Sequence, residues 1–565
     1  MLFMLFVAFT ALVVRALWIQ GPGNAFYEAK AVKGTQRELE MSASRGKILD
    51  RNGQVIATSL EAKAVIAYND TVPKDLSDEK IKQLANLLQM REVDVRKKLK
   101  DERNQVFLKR QVDPAIAQQI RKLEIPGIGL NNEFRRFYPE GEAMAHVVGF
   151  TNVEDHGQEG MELSRENDLA ASTGKRRVVV DRLGRIVEDM GVLQLPQNGK
   201  DLKLSVDSKI QYIAYNALKD AVEKHRAKAA GAVVINVQTG EILALANWPS
   251  YNPNDRKILS GEQLRNRVMT DTFEPGSTIK PFTVALAMEK GQVNPNTVMT
   301  IGAKYLVGPK PITDTHLYPS LTVAEVIQKS SNIGTSKLAM NMPASEMWDL
   351  FTAVGFGQTP KVGFPGAVAG RLHPHQKWMP TDQARIAFGY GISTSLFQMA
   401  RAYTIFARDG ELVPVTIEHS PDYKAGVRVI SAKTAIEMRS MLESVTEAGG
   451  TAIKAHAEGY RVGGKTGTAH KVAGKGYSTN KYLAYFTGIA PISAPRIVVA
   501  VMVDEPTANG YYGGQVAAPI FSTIVSETLR AMNVAPDSTV KNMVQRDDAI
   551  KPGSVAPIQR VVLTQ

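Results

Sequence analysis

The sequence predicts an α+β catalytic domain, an antiparallel sheet covered by helices, behind a less regular N-terminal module. Two strand-like runs, 231–237 and 242–246, flank the turn Gln238-Thr239-Gly240-Glu241. Two more, 482–489 and 496–503, come late, and a helix is expected after them over about 516–532. Between the pairs lies a largely helical middle, so hairpins bracket helices instead of alternating with them.

The chain has 565 residues, 68 basic and 56 acidic, with a net charge of +12 and no cysteine. At roughly 100–200 residues per domain, it should hold two to four domains. The missing cysteines exclude a disulfide scaffold, a thiol nucleophile, thiolate zinc and Cys-ligated iron–sulfur clusters. The basic residues are spread along the chain and not gathered in a stripe, so a nucleic-acid role is not expected. The nine histidines show no metal-ligand spacing, and neither a metal nor a cofactor is assigned.

Residues 1–14 form an almost unbroken apolar run, followed by Arg15 and then Ala16-Leu17-Trp18-Ile19. With Arg15 snorkelling and Trp18 at the interface, 1–20 reads as one membrane span, an uncleaved signal anchor. No basic leader precedes it, and Ala29-Lys30-Ala31 lies too far on to be its cleavage site, so its cytoplasmic start is expected to be missing. Residues 21–35 read as a juxtamembrane stretch. A non-catalytic module over 21–200 should contain two short strands around Asn52-Gly53, helices over 77–124 broken at Asp113-Pro114, a strand at 176–180 and a turn at Leu183-Gly184-Arg185. Leu195-Pro196-Gln197-Asn198-Gly199 marks the boundary. The catalytic domain is expected over 201–533, opening with an amphipathic helix at 207–224, and a flexible tail over 534–565.

Ser-x-x-Lys occurs six times, so only context gives it meaning. At Ser277-Thr278-Ile279-Lys280, Pro275-Gly276 ends a loop and an apolar helix follows. Ser277 would sit at a helix N-terminus, where free N–H groups favour developing negative charge. Lys280, three residues on, would lie on the same face and activate the hydroxyl if burial lowers its pKa. In Lys329-Ser330-Ser331-Asn332, the Ser330 hydroxyl and the Asn332 amide could relay a proton and hold a peptide carbonyl. Residues 459–466 match the P-loop pattern letter for letter, but they lack the buried strand before and the helix after that a P-loop needs. Lys465-Thr466-Gly467-Thr468 reads instead as an edge strand facing a cleft, with glycines that let a substrate backbone pair and Lys465 supplying charge for a carboxylate.

Together, Ser277-x-x-Lys280, Ser330-Ser331-Asn332 and Lys465-Thr466-Gly467 resemble the three motifs of penicillin-recognising serine enzymes. The second and third begin 53 and 188 residues after Ser277, in the family's order. Arg45-Gly46, Asp50-Arg51-Asn52-Gly53, Arg136-Phe137-Tyr138-Pro139 and Gly157-Gln158-Glu159-Gly160-x-Glu162 resemble the N-terminal pedestal of class B penicillin-binding proteins. Residues 464–471 and 512–519 look most like the septal, cell-division transpeptidase, with the elongation-specific paralogue as the alternative.

The resemblance implies a penicillin-binding transpeptidase/serine β-lactamase-like fold, a five-stranded antiparallel sheet flanked by helices. It implies a bacterial inner-membrane protein, single-pass, with its catalytic domain on the periplasmic side. Ser277 would attack the D-Ala-D-Ala bond of a peptidoglycan stem peptide, with Lys280 as base and Ser330 and Lys465 passing the proton to the leaving D-alanine. Asn332 would hold the acyl-side amide, Thr466 and Gly467 would line the substrate strand, and the N–H groups of Ser277 and Thr468 would form the oxyanion hole. A second stem's amine would accept the acyl group, and β-lactams would trap Ser277. Partners would be a membrane glycosyltransferase and other divisome proteins. A β-lactamase or β-lactam sensor shares the motifs, but no group that would activate a deacylating water is identifiable. A non-catalytic scaffold has no use for Lys280.

Overall fold

The computed structural model describes residues 2–21, 36–180, 186–255, 260–309, 311–473 and 476–538. Residues 22–35, the Leu183-Gly184-Arg185 turn and the tail beyond 538 lie outside them. Helix α1, Leu2–Gln20, is apolar but for Thr10, Arg15 and the terminal Gln20, and none of its residues is buried against the rest of the protein. At 1.5 Å per residue its 19 residues extend roughly 28 Å, about the thickness of a bilayer's hydrocarbon core.

The following module is built on a 14-residue strand, Val55–Tyr68, which pairs antiparallel with Gln105–Val112 and Ile128–Phe137. Helices Asp78–Leu88, Glu92–Leu99 and Pro114–Lys122 bury Ile81, Leu84, Leu88, Val95 and Ile120 against Val65 and Leu108 of the sheet. The strand Gln105–Val112 corrects the helical reading of 77–124. Val106 and Leu108 are buried while Phe107 between them is exposed, a two-residue alternation that outweighs the stretch's Lys- and Glu-rich composition. Asp113-Pro114 starts a helix: the Asp113 carboxylate caps Ala115 N at 2.8 Å, and Pro114 occupies the first turn, where no donor is needed. In the early hairpin, Gly53 takes φ +88° in the turn between Ile48–Leu49 and Val55–Tyr68.

The motif residues of this module converge on a buried ion cluster. Glu162 accepts from Arg45 Nε at 2.6 Å and from Arg136 Nε at 2.7 Å, and Arg45 Nη2 also reaches Glu166 at 2.6 Å. The cluster ties together three segments far apart in the chain, around residues 45, 136 and 162–166. Asp50 and Arg51 cross to the catalytic domain, where Asp50 Oδ2 accepts from Ser208 N at 3.2 Å and Arg51 pairs with the buried Glu241 at 3.0 Å.

The catalytic sheet has five antiparallel strands: β1 (Ala229–Asn236), β2 (Ile242–Trp248), β3 (Gly463–Ala473), β4 (Gly476–Ala490) and β5 (Ile497–Asp504), in the order β2-β1-β5-β4-β3. The late strands join the early hairpin through β5 and β1, with Ala500 opposite Val233. All eight residues of β1 and of β5 are buried, as central strands covered on both faces require. Helices α2 (Ser208–His225) and α5 (Gly513–Ala531) pack on the sheet, as does the helix Leu396–Ala407. Helix α5 begins earlier than expected, at Gly513. A side chain there would meet Tyr485 O at 2.3 Å and Gly467 O at 2.5 Å, so the helix start lies directly against the sheet edge. Strand β3 is the sheet's outer strand, which leaves its far edge open to a cleft.

Candidate active site

Ser277 lies in a 3₁₀ turn, Gly276–Ile279, immediately before helix α3, Lys280–Glu289. The expected α-helical N-terminus is thus one tighter turn, and Pro281 supplies the reason. It has no N–H to bond Ser277 O at i→i−4, so Lys280 N bonds that carbonyl at i→i−3 instead. Gly276 enters the turn at φ +54°, and Tyr403 Oη fixes its far side by donating to Thr278 O at 2.7 Å. Ser277 is half-buried at the cleft floor, and among the described residues its hydroxyl makes no hydrogen bond.

Lys280 is fully buried. Its Nζ donates to Ser330 O at 2.5 Å, to Asn332 Oδ1 at 2.7 Å and to Ser330 Oγ at 3.1 Å. Burial holds its pKa well below the ordinary lysine range, the Lys465 cation pushes the same way, and Asp314 opposes them. The downward shift leaves more of the amine neutral, the form that can take a proton from a hydroxyl.

Ser330 adopts φ +62°, a left-handed conformation uncommon for a side chain with a Cβ. It turns the chain between the helix Val323–Gln328 and helix α4, Asn332–Met340. Ser331 is the cap, its Oγ accepting from Gly334 N at 2.9 Å, which leaves Ser330 and Asn332 for Lys280. Asp314, which the sequence reading did not single out, holds this start in place. Its carboxylate accepts from Ser331 Oγ and Asn332 N, both at 2.5 Å, and from Ile333 N at 3.0 Å.

Lys465 sits inside β3 with no exposed surface, and burial lowers its pKa to about 7. A strand runs on from it where a P-loop would need a helix. Its Nζ contacts Thr466 Oγ1 at 3.3 Å. Thr466 and Thr468 line the cleft, and Thr468 Oγ1 accepts from Gly513 N at 3.0 Å. Gly467 is needed for the close approach, since a Cβ there would lie 3.0 Å from both Pro275 O and Thr278 Cγ2 of the serine turn. The strand thereby runs directly beside Ser277, with Thr468 O 3.5 Å from where a Cβ on Gly276 would stand.

The cleft has a volume of about 980 Å³. Ser277, Ser330, Asn332, Thr466 and Thr468 share it, with Tyr482, Tyr511 and Tyr512 forming an aromatic wall at one end. Tyr482 and Tyr511 carried no motif in the sequence, and Tyr512 opened one without being assigned to the site; residues 511 and 512 come to β4 only through the loop that leads into α5.

A hydroxyl at the cleft floor, a buried amine with a depressed pKa and an open edge strand define a serine acyltransferase of the penicillin-recognising kind. Residues 230–526 match the penicillin binding protein transpeptidase domain, and residues 40–204 the penicillin-binding protein dimerisation domain. The chain belongs to the class B penicillin-binding proteins, a dimerisation module followed by a transpeptidase domain. It is 43% identical over 537 residues to "Probable peptidoglycan D,D-transpeptidase PenA" of Neisseria gonorrhoeae, covering 94% of this chain and 92% of the relative. It is 38% identical over 541 residues to "Peptidoglycan D,D-transpeptidase FtsI" of Escherichia coli K12, covering 94% and 91%. The solved transpeptidase domain of Burkholderia pseudomallei penicillin-binding protein 3 is 55% identical, with a TM-score of 0.55, and covers 59% of this chain and 98% of that one.

Proposed function

We propose that the protein is the septal peptidoglycan D,D-transpeptidase of a bacterial cell, anchored by α1 in the inner membrane with its catalytic domain in the periplasm. The observation that carries the catalytic assignment is Lys280, a buried amine held between Ser330 and Asn332 that, among the described residues, forms no ion pair with a carboxylate. Ser277 Oγ attacks the carbonyl between the two D-alanines of a stem peptide while neutral Lys280 takes the hydroxyl proton. Hydrogen bonds to a base are often long in a free enzyme and tighten only with substrate. The N–H groups of Ser277 and Thr468 hold the developing oxyanion, a device worth about 2.7–4 kcal/mol per donor in other serine enzymes.

Collapse of the intermediate breaks the C–N bond, and the leaving D-alanine amine takes its proton through Ser330, supported by Lys465. Asn332 holds the acyl-side amide, and Thr466 and Gly467 present the strand edge along which the peptide lies. A second stem's amine then attacks the ester and forms the cross-link; the proton it loses passes through Lys280 to Ser277 Oγ as the ester C–O bond breaks, restoring the free hydroxyl. One amide is broken and one is made, so the step needs no external energy source. The septal role rests on the likeness to FtsI, and docking to a membrane glycosyltransferase of the division machinery belongs with it.

The test is to incubate the protein with a fluorescent penicillin and map the adduct. A stable adduct on Ser277, absent in Ser277→Ala, is expected. Rapid, steady nitrocefin turnover lost in the same variant would instead make the protein a β-lactamase.

A further inference from the structure

The cleft continues past Ser277 and Ser330 on the Thr466 side, and nothing in the acylation step uses that arm. It lies between two segments tied to each other: Lys329 Nζ donates to Gly449 O at 2.8 Å, and Thr451 Oγ1 meets Thr466 Oγ1 at 3.1 Å. Lys454, exposed, stands on its rim. Among the described residues, neither Lys329 nor Lys454 makes an ion pair, although Glu325 interacts electrostatically with Lys329, and no Asp or Glu lines the cleft. A wall of hydroxyls and cations without a carboxylate attracts an anionic ligand.

The reaction itself says which ligand reaches this arm. The scissile carbonyl sits where Ser277 and Thr468 meet, and the leaving amine departs toward Ser330, Lys465 and Thr466. The incoming amine must attack the same carbon along the path the leaving amine vacated, because the acyl group still fills the other end of the cleft. The acceptor's body then extends beyond Thr466, between Lys329 and Lys454.

Resting on the transpeptidase reading, we propose that this arm is the acceptor subsite, and that Lys454 and Lys329 bind a carboxylate of the acceptor peptide remote from its reacting amine. The subsite selects an anionic peptide over water as the second substrate, which sets the ratio of cross-linking to hydrolysis. A small acceptor that ends at its reacting centre does not reach Lys454, and neither does a β-lactam during acylation.

The experiment compares Lys454→Ala and Lys454→Arg with the unaltered protein, using one thioester donor and three acceptors: D-alanine, a stem tripeptide with free carboxylates, and the same tripeptide with those carboxylates amidated. In Lys454→Ala the apparent KM for the free-carboxylate tripeptide should rise about 5–10-fold. Its maximal transfer rate, transfer to the other two acceptors and the rate of penicillin acylation should change less than twofold. Lys454→Arg should restore the KM, since it keeps the charge. An equal loss for all three acceptors, or none for any, overturns the subsite. A protein that forms no penicillin adduct at Ser277 overturns the transpeptidase reading itself, so the two failures are distinguishable.

Discussion

Lys280 Nζ donates to Ser330 Oγ at 3.1 Å, joining the first motif to a hydroxyl 50 positions further along the chain. In the proposed mechanism this contact would carry the proton from Lys280 to the side of the cleft where the amine leaves. The same mechanism would make the rate depend on the charge of two lysines in opposite senses.

Acylation needs Lys280 neutral, so its rate rises with pH through a pKa that burial and Lys465 hold well below the ordinary lysine range. Lys465 must be charged to attract a substrate carboxylate, and its pKa near 7 removes that charge as pH rises further. Penicillin acylation should therefore follow a bell with its alkaline limb near neutrality. Lys465→Arg, which stays charged, should lose that limb. A rate that climbs steadily to pH 10 in the unaltered protein would contradict both assignments.

Asp314 acts on the same lysine from the other side. Its carboxylate fixes the start of α4 through three hydrogen bonds and raises the pKa of Lys280. Asp314→Asn keeps the size but removes the charge and one lone-pair acceptor, leaving a buried N–H or hydroxyl unpaired at about 1–3 kcal/mol. Acylation should fall roughly 10–100-fold, in proportion to that loss. The acid limb of the pH profile should move to lower pH, because the nearby negative charge that favours the Lys280 cation is then gone. A fall in rate with an unmoved limb would reduce Asp314 to a packing role.

How much of this was legible in the sequence follows from how local each feature is. Ser277 with Lys280, and Ser330 with Asn332, lie within four residues of each other, and short spacing on one turn is what a sequence displays. The glycines around Lys465 announced an edge strand for the same reason. Asp314 sits 17 and 18 residues from the groups it holds and has no periodic partner, so only the folded chain shows it. The 3₁₀ turn at Ser277 was implicit in Pro281, whose missing N–H forces it. The strand Gln105–Val112 was masked by helix-favouring residues, and only its pairing with Val55–Tyr68 decides the outcome.

The buried lysines should make the site costly to stability. Lys465 has a pKa of about 7 when folded, against an ordinary lysine value near 10.4 when unfolded. Between those values the unfolded chain holds the extra proton, so stability rises with pH, and below about 7 the full penalty of the buried charge remains. Lys465→Met should abolish acylation yet raise the melting temperature by about 5 °C at pH 6, given roughly 2–4 °C per kcal/mol for a domain of this size. The gain should shrink as pH approaches 10. An unchanged or lowered Tm at pH 6 would mean that Nζ is better solvated than its burial implies.

The Arg45–Glu162–Arg136 cluster tests whether the N-terminal module and the catalytic domain unfold together. Arg45→Met strips both Glu162 and Glu166 of a guanidinium, leaving the buried Glu162 carboxylate with Arg136 as its one ion-pair partner among the described residues. Breaking a buried pair in this way costs about 3–5 kcal/mol, and the loss falls on residues 40–204 because the cluster's members all lie there. The catalytic sheet keeps its own core, and the Burkholderia transpeptidase domain solved alone has the same fold. Limited proteolysis of Arg45→Met should thus cut the N-terminal module at a lower temperature than in the unaltered chain, while the protected fragment still takes fluorescent penicillin at Ser277. Loss of labelling in step with the cleavage would show that Arg51–Glu241 and Asp50–Ser208 N couple the two into one cooperative unit.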